Sequence, residues 1–127
     1  MFKRKLNKRA SSNIQTLIGA GTRIHGDVEF CGDLHLDGHV SGNVSSAPGA
    51  GSVLSVSEQG GIEGSVAVTS IVLNGIVKGD IDATDRVELG PNSRVLGNVH
   101  YTTIETAIGA QISGKLIHKV PPGADPA

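Results

Sequence analysis

Aromatic residues are nearly missing from this chain: Phe2, Phe30 and Tyr101 are the only three in 127 residues, and there is no tryptophan. A core centred on rings is therefore excluded. The single cysteine, Cys31, rules out an internal disulfide, and no CxxC pair is present to hold a metal. That usage points to the cytoplasm. No stretch approaches the ~20 apolar residues that span a bilayer, and the basic start is not followed by the apolar run of a signal peptide. The expectation is a chain neither secreted nor transmembrane. Helical periodicity survives nowhere beyond two turns, which removes βαβ folds.

What is abundant is glycine, with 18 residues, twice the average share of ~7%. Val and Ile together number 24 against 9 Leu, and stiff β-branched side chains favour strands. The chain reads as all-β. Its charge is unevenly placed, because Lys3, Arg4, Lys5, Lys8 and Arg9 put five cations in the first nine residues without an acid, whereas the remainder holds 6 bases and 12 acids.

A short pattern recurs six times: aliphatic, any residue, Gly, any residue, aliphatic. It occurs at Ile24–Val28, Val40–Val44, Ile62–Val66, Val77–Ile81, Val95–Val99 and Ile112–Leu116, with the glycines at Gly26, Gly42, Gly64, Gly79, Gly97 and Gly114. The glycines step by 16, 22, 15, 18 and 17 residues, and the long step contains the small-residue loop Ser45–Gly51. Between them lie alternating fragments such as Leu34–Leu36, Val53–Val56, Val87–Leu89 and Ile104–Ile108. Asn74-Gly75 is the only Asn-Gly dipeptide, and coils explain the spacing better than hairpins or a β-sandwich. The fold expected is a parallel β-helix, or solenoid, of about six coils, each hydrogen-bonded to the next ~4.8 Å away. Glycine would stand where the chain turns a corner or stacked backbones crowd. Ile18, Ile24, Phe30 and Leu36 also fit the six-residue step of left-handed β-helix acyltransferases, but later steps fall on Gly42 and Pro48, which favours the right-handed form.

These features resemble a known family. A basic Met-Phe start, a core of recurring Val/Ile-x-Gly-x-Val/Ile, the opening segment Asn13–Val28 and a short Pro-containing tail are similar to the bactofilins over residues 1–120. The resemblance implies a right-handed triangular β-helix, nucleotide-independent filaments assembled end to end, a membrane- or cell-wall-associated scaffold role in bacteria, and no catalysis. Bactofilins often carry Phe in a Gly-Ala-x-Phe-x-Gly motif of the last coil, where it helps subunits dock; here Gly109-Ala-Gln-Ile112-Ser-Gly114 places Ile112 at that position.

The ends and tails supply the candidate sites. An uncapped solenoid exposes strand edges and core side chains at both ends, and here Ile14, Leu17 and Ile18 stand before the first full coil while Ile112, Leu116 and Ile117 close the last, ahead of Pro121-Pro122. These six residues are the expected polymer interface, with a second copy of the chain as partner. In the first nine residues, Met1, Phe2 and Leu6 lie among Lys3, Arg4, Lys5, Lys8 and Arg9, a composition suited to an anionic membrane surface. Phe2 excludes myristoylation. Nucleic acid is not expected, since the body is acidic and lacks stacking aromatics.

His25, His35, His39, His100 and His118 read as surface histidines, and Asp27, Asp33, Asp37, Asp80, Asp82 and Asp85 as outward turn residues that keep the rod soluble. No metal, cofactor or small-molecule substrate is expected. Cys31 has no motif-linked base, and Gly19-Ala-Gly21 lacks the rest of a dinucleotide fingerprint. The division expected is a basic tail over 1–13, disordered in solution, a β-helix over 14–118 and a disordered tail over 119–127. The rival reading is a trimeric acyltransferase-like enzyme of the left-handed β-helix type; a third is a capped, monomeric ligand-binding solenoid.

Overall fold

Alternating side chains one residue apart on a strand point to opposite sides, so short Val/Ile-rich strands can line a bore with every second residue. The computed structural model describes residues 16–47 and 51–119 and realises that arrangement. The first coil comprises β1 (Thr16–Ile18), β2 (Arg23–His25) and β3 (Val28–Phe30). The second comprises β4 (Asp33–Leu36), β5 (His39–Ser41) and β6 (Val44–Ser46). Then follow β7 (Val53–Val56), β8 (Gly61–Glu63), β9 (Val66–Leu73), β10 (Ile76–Lys78) and β11 (Ile81–Leu89). The last elements are β12 (Arg94–Leu96), β13 (Val99–Tyr101), β14 (Thr103–Thr106), β15 (Gln111–Ser113) and β16 (Leu116–His118).

All pairings are parallel and all join one coil to the next, giving a six-coil β-solenoid with three faces. The first face stacks β1, β4, β7, the second half of β9, the second half of β11, and β14. The second stacks β2, β5, β8, β10, β12 and β15. The third stacks β3, β6, the first halves of β9 and β11, β13 and β16. Because β9 and β11 run on past the corner between the third and first faces, those faces form one 10-stranded sheet. Five intercoil steps of ~4.8 Å make the rod about 24 Å long.

Register turns the sequence into columns. Ile24, Val40, Ile62, Val77, Val95 and Ile112 stack on the second face, at steps equal to those of the glycines. Leu34, Leu54, Ile71, Val87 and Ile104 stack on the first, and Val28, Val44, Val66, Ile81, Val99 and Leu116 on the third. The middle members are essentially inaccessible, and burying each such side chain is worth ~1.5–3 kcal/mol.

The recurrent glycines line the corner between second and third faces. A Cβ on Gly42 would lie 2.1 Å from the Gly26 carbonyl oxygen, and one on Gly64 would lie 2.1 Å from that of Gly42. Those contacts are with backbone, so no rotamer change relieves them. At four of the five steps the residue after the glycine continues the stack. The Asn43 N–H donates to Asp27 Oδ1 at 2.9 Å and the Ser65 N–H to Asn43 Oδ1 at 3.0 Å. Further along, the Asn98 N–H donates to Asp80 Oδ1 at 2.9 Å and the Lys115 N–H to Asn98 Oδ1 at 3.0 Å. Asp27 and Asp80 are exposed turn residues, and their carboxylates also accept from the backbone of the next coil.

Candidate assembly interface

A coil inside the rod is covered above and below; a terminal coil is covered once. At the C-terminal end, among the described residues, β14 pairs only with β11, β15 only with β12 and β16 only with β13. Three strand edges therefore face outward along the rod axis, and unpaired edges are templates for further pairing. The bore is also open there. Leu116 ends a column whose other members from Val44 onward are at most 1% exposed, yet it is 47% exposed. Ile104 and Ile112 are half-buried against the core.

The first coil is more closed. Ile18 is 8% exposed and Phe30 7%, while Ile24 and Val28 pack against the core as half-buried residues. The ring of Phe30 supplies volume at the start of a column that passes through Ser46 and Ala83 to Tyr101 and His118. At the other end that column is polar: His118 Nε2 lies 3.0 Å from the Thr102 carbonyl oxygen, and its ring sits tilted by 50° against Tyr101, the centroids 5.5 Å apart. Lys119 Nζ donates to Asp82 Oδ1 at 2.6 Å, fastening the end of the last coil to the fourth.

A match to a family profile described as "Bactofilin: Polymer-forming cytoskeletal" spans residues 16–117, from the first strand to the last. The chain belongs to the bactofilin family. Among relatives, it is 32% identical over 120 residues to bactofilin BacP of Myxococcus xanthus, covering 93% of this chain and 48% of BacP. It is 30% identical over 109 residues to bactofilin BacO of the same organism, covering 86% of this chain and 83% of BacO. The chain thus spans about half the length of BacP and most of BacO. No solved structure matches it. Bactofilins are polymer-forming cytoskeletal proteins, and an open solenoid end is the geometry such a polymer needs.

In this bactofilin the six expected interface residues separate. Ile112 and Leu116 are inward-column residues of the open coil, so they lie where stacking would cover them. Ile18 is also inward but already buried in the core. Leu17, 58% exposed, projects from the first face, and Ile117, 36% exposed, from the third, both onto the rod's flank. Ile14 lies outside the described residues, as do all eight membrane candidates from Met1 to Arg9.

Ile108 was not singled out by the sequence, and it is 98% exposed. The strand that begins at Thr103 ends at Thr106, and Ala107–Ala110 forms a β-turn in which the Ala110 N–H donates to the Ala107 carbonyl at 3.2 Å. Gly109 has φ +106°, the conformation a type II turn requires at its third position. That glycine was the available signal.

The histidines and acids fall on the flanks. His35 and His39 lie on different faces, and no group of three or more metal-ligating side chains occurs among the described residues. His35 Nε2 is 3.0 Å from Asp37 Oδ1. Hydrogen bonding from Ser57, then the neighbouring His35, holds the Asp37 carboxyl below its usual range. Ser55 stands opposite His35 in register, but no hydrogen bond joins those two side chains. Asp37 therefore ties the second coil to the third. Cys31 is exposed at the corner after β3.

Proposed function

We propose that this bactofilin is a bacterial cytoskeletal scaffold subunit, without catalytic activity, that assembles end to end into filaments without nucleotide. The observation carrying the proposal is the last coil, where, among the described residues, three free strand edges surround apolar side chains at positions that the four coils between the two ends bury. Adding a second copy would pair those edges and remove Leu116, Ile112 and Ile104 from water together. The filament would lie at the cytoplasmic face of the inner membrane, held there by the basic residues 1–9, each cation near anionic lipid contributing ~1 kcal/mol and multiplied by avidity along the polymer. Cell-wall or cell-shape factors would be concentrated on it.

The deciding experiment is negative-stain electron microscopy of the purified chain without nucleotide or metal, beside Ile112→Arg. Filaments in the parent and folded monomers in the variant support the reading; uniform trimers in both would replace it with the acyltransferase-like alternative. The membrane part is tested by liposome flotation of a chain lacking residues 2–9, and flotation equal to the parent's would remove the tail from the account.

A further inference from the structure

The chain leaves its last coil in a defined direction. The Lys119 N–H donates to the Tyr101 carbonyl at 2.6 Å, so Lys119 occupies the corner that Thr102 holds one coil earlier, just before β14 begins. Val120, Pro121 and Pro122 would come next as a strand on β14. Of any two successive strand residues one must donate to that neighbour, and prolines cannot. The chain therefore leaves the ladder here, either over the open end or back along the flank. The Lys119 side chain takes the second route: passing the fifth coil, its Nζ donates to Asp82 Oδ1 at 2.6 Å in the fourth.

Beside Asp82 lies a groove. Outward positions of the third face stack as Glu29, Ser45, Ala67, Asp82, His100 and Ile117, and the small pair Ser45 and Ala67 leaves a hollow between larger neighbours. Its volume is about 280 Å³, and its lining includes Ala47, Ala67, Val68, Asp82 and Thr84, from the second coil to the fourth. We propose that residues 120–127 fold back and dock in this groove as a strap, with the Lys119–Asp82 pair as its first fastening. Three observations select this occupant. The ion pair ends on a residue that lines the groove. The eight residues after Lys119 span ~25 Å as a polyproline helix at ~3.1 Å each, whereas the groove lies two to four coils below, ~10–19 Å away. Val120-Pro121-Pro122 is apolar and preorganised, so laying it on Ala47 and Ala67 costs little conformational entropy. An exposed ion pair contributes at most ~1 kcal/mol, so it aims the strap while apolar contact holds it. The consequence for assembly rests on the filament reading: a strap on the flank keeps these residues off Ile112 and Leu116, which the other route would cover.

The test is disulfide trapping in the full chain carrying Cys31→Ser, with thermal melts to confirm that every variant stays folded. Ala124→Cys is combined in turn with Ala67→Cys in the groove, Leu96→Cys on the second face and Ile112→Cys at the open end. Docking raises the effective concentration of the two thiols, so the Ala67 pair should close at least about fivefold faster than either other pair. The bond should form within one chain, its yield unchanged when the variant is diluted into the Cys31→Ser chain, and Asp82→Lys should slow it to the rate of the second-face pair. Equal rates at the three positions overturn the proposal, as does fastest closure with Ile112→Cys, which would put these residues over the open end. A bond found only between chains overturns it too, since the groove would then hold a neighbour's segment, and so does a rate indifferent to Asp82→Lys. Sedimentation of the same samples keeps the two readings apart. Filaments without the Ala67 bond remove the strap alone, whereas the bond without filaments overturns the filament reading and leaves the strap in place.

Discussion

The first and last coils are built from the same three-strand plan, yet only one of them is finished as a surface. In the first, Ile18 and Phe30 are 8% and 7% exposed; in the last, Leu116 is 47% and Ile108 98% exposed. Strand edges cannot explain the difference, since the outermost strands at both ends have one neighbour each. The difference lies in side-chain volume. A ring closes the column at Phe30, whereas the column ends at the other side in His118, which turns to a backbone carbonyl. A solenoid can thus carry equal hydrogen-bonding potential at both ends and unequal apolar potential, and the apolar inequality places the stronger stacking drive at the C-terminal coil.

One column makes that contrast measurable. Arg introduced at Val77, which is fully buried in the fourth coil, leaves a charge with no partner, and the expected cost exceeds ~4 kcal/mol. Circular dichroism should show loss of the β signal. The same substitution at Ile112, in the same column two coils later, should leave the melting temperature nearly unchanged and abolish sedimentable polymer; Leu116→Arg should do likewise. If Ile112→Arg unfolds the chain as Val77→Arg does, the last coil is core and the two ends are equivalent after all. At the closed end, Phe30→Ala should cost ~3–4 kcal/mol by opening a cavity while filaments still form, read by melts and microscopy on one preparation.

Much of this was legible because a repeat shows the same constraint six times. The glycine steps of 16, 22, 15, 18 and 17 residues are the register steps of the second face. The failing six-residue period also has a structural cause. Ile18 reaches Ile24 through the four-residue turn Gly19–Thr22, in which the Thr22 N–H donates to the Gly19 carbonyl at 3.0 Å. Leu36 reaches Val40 through only Asp37-Gly38 before β5 begins, so the period breaks where the corner shortens. The interface was harder to read. Leu17 with Ile18, and Leu116 with Ile117, are sequence neighbours on strands, so only one of each pair can face the bore; hydrophobicity alone names both. Ile108 looked like the end of an alternating strand because Ile104 precedes it by four residues, and the turn at Gly109 overrides that pattern.

The smallest predicted effect separates the ends by their hydrogen bonds rather than their packing. The chain of side-chain acceptors at the glycine corner has a link between the first and second coils, from the Asn43 N–H to Asp27, and another between the fifth and sixth, from the Lys115 N–H to Asn98. Asp27→Ala and Asn98→Ala each remove one exposed bond, so each should cost only ~1 kcal/mol. The consequences should differ because the surroundings differ: the second coil is held also by buried Phe30 and Ile18, whereas the apolar residues of the sixth that pack on the core, Ile104, Ala110 and Ile112, are only half-buried. Asn98→Ala should therefore raise amide exchange selectively over 111–118 and weaken assembly by about fivefold, the fold-change equivalent of ~1 kcal/mol. Asp27→Ala should change exchange near Asn43 and leave assembly intact. Equal assembly defects from the two variants would mean that filament growth depends on both ends alike, and that the open coil is not the one that limits it.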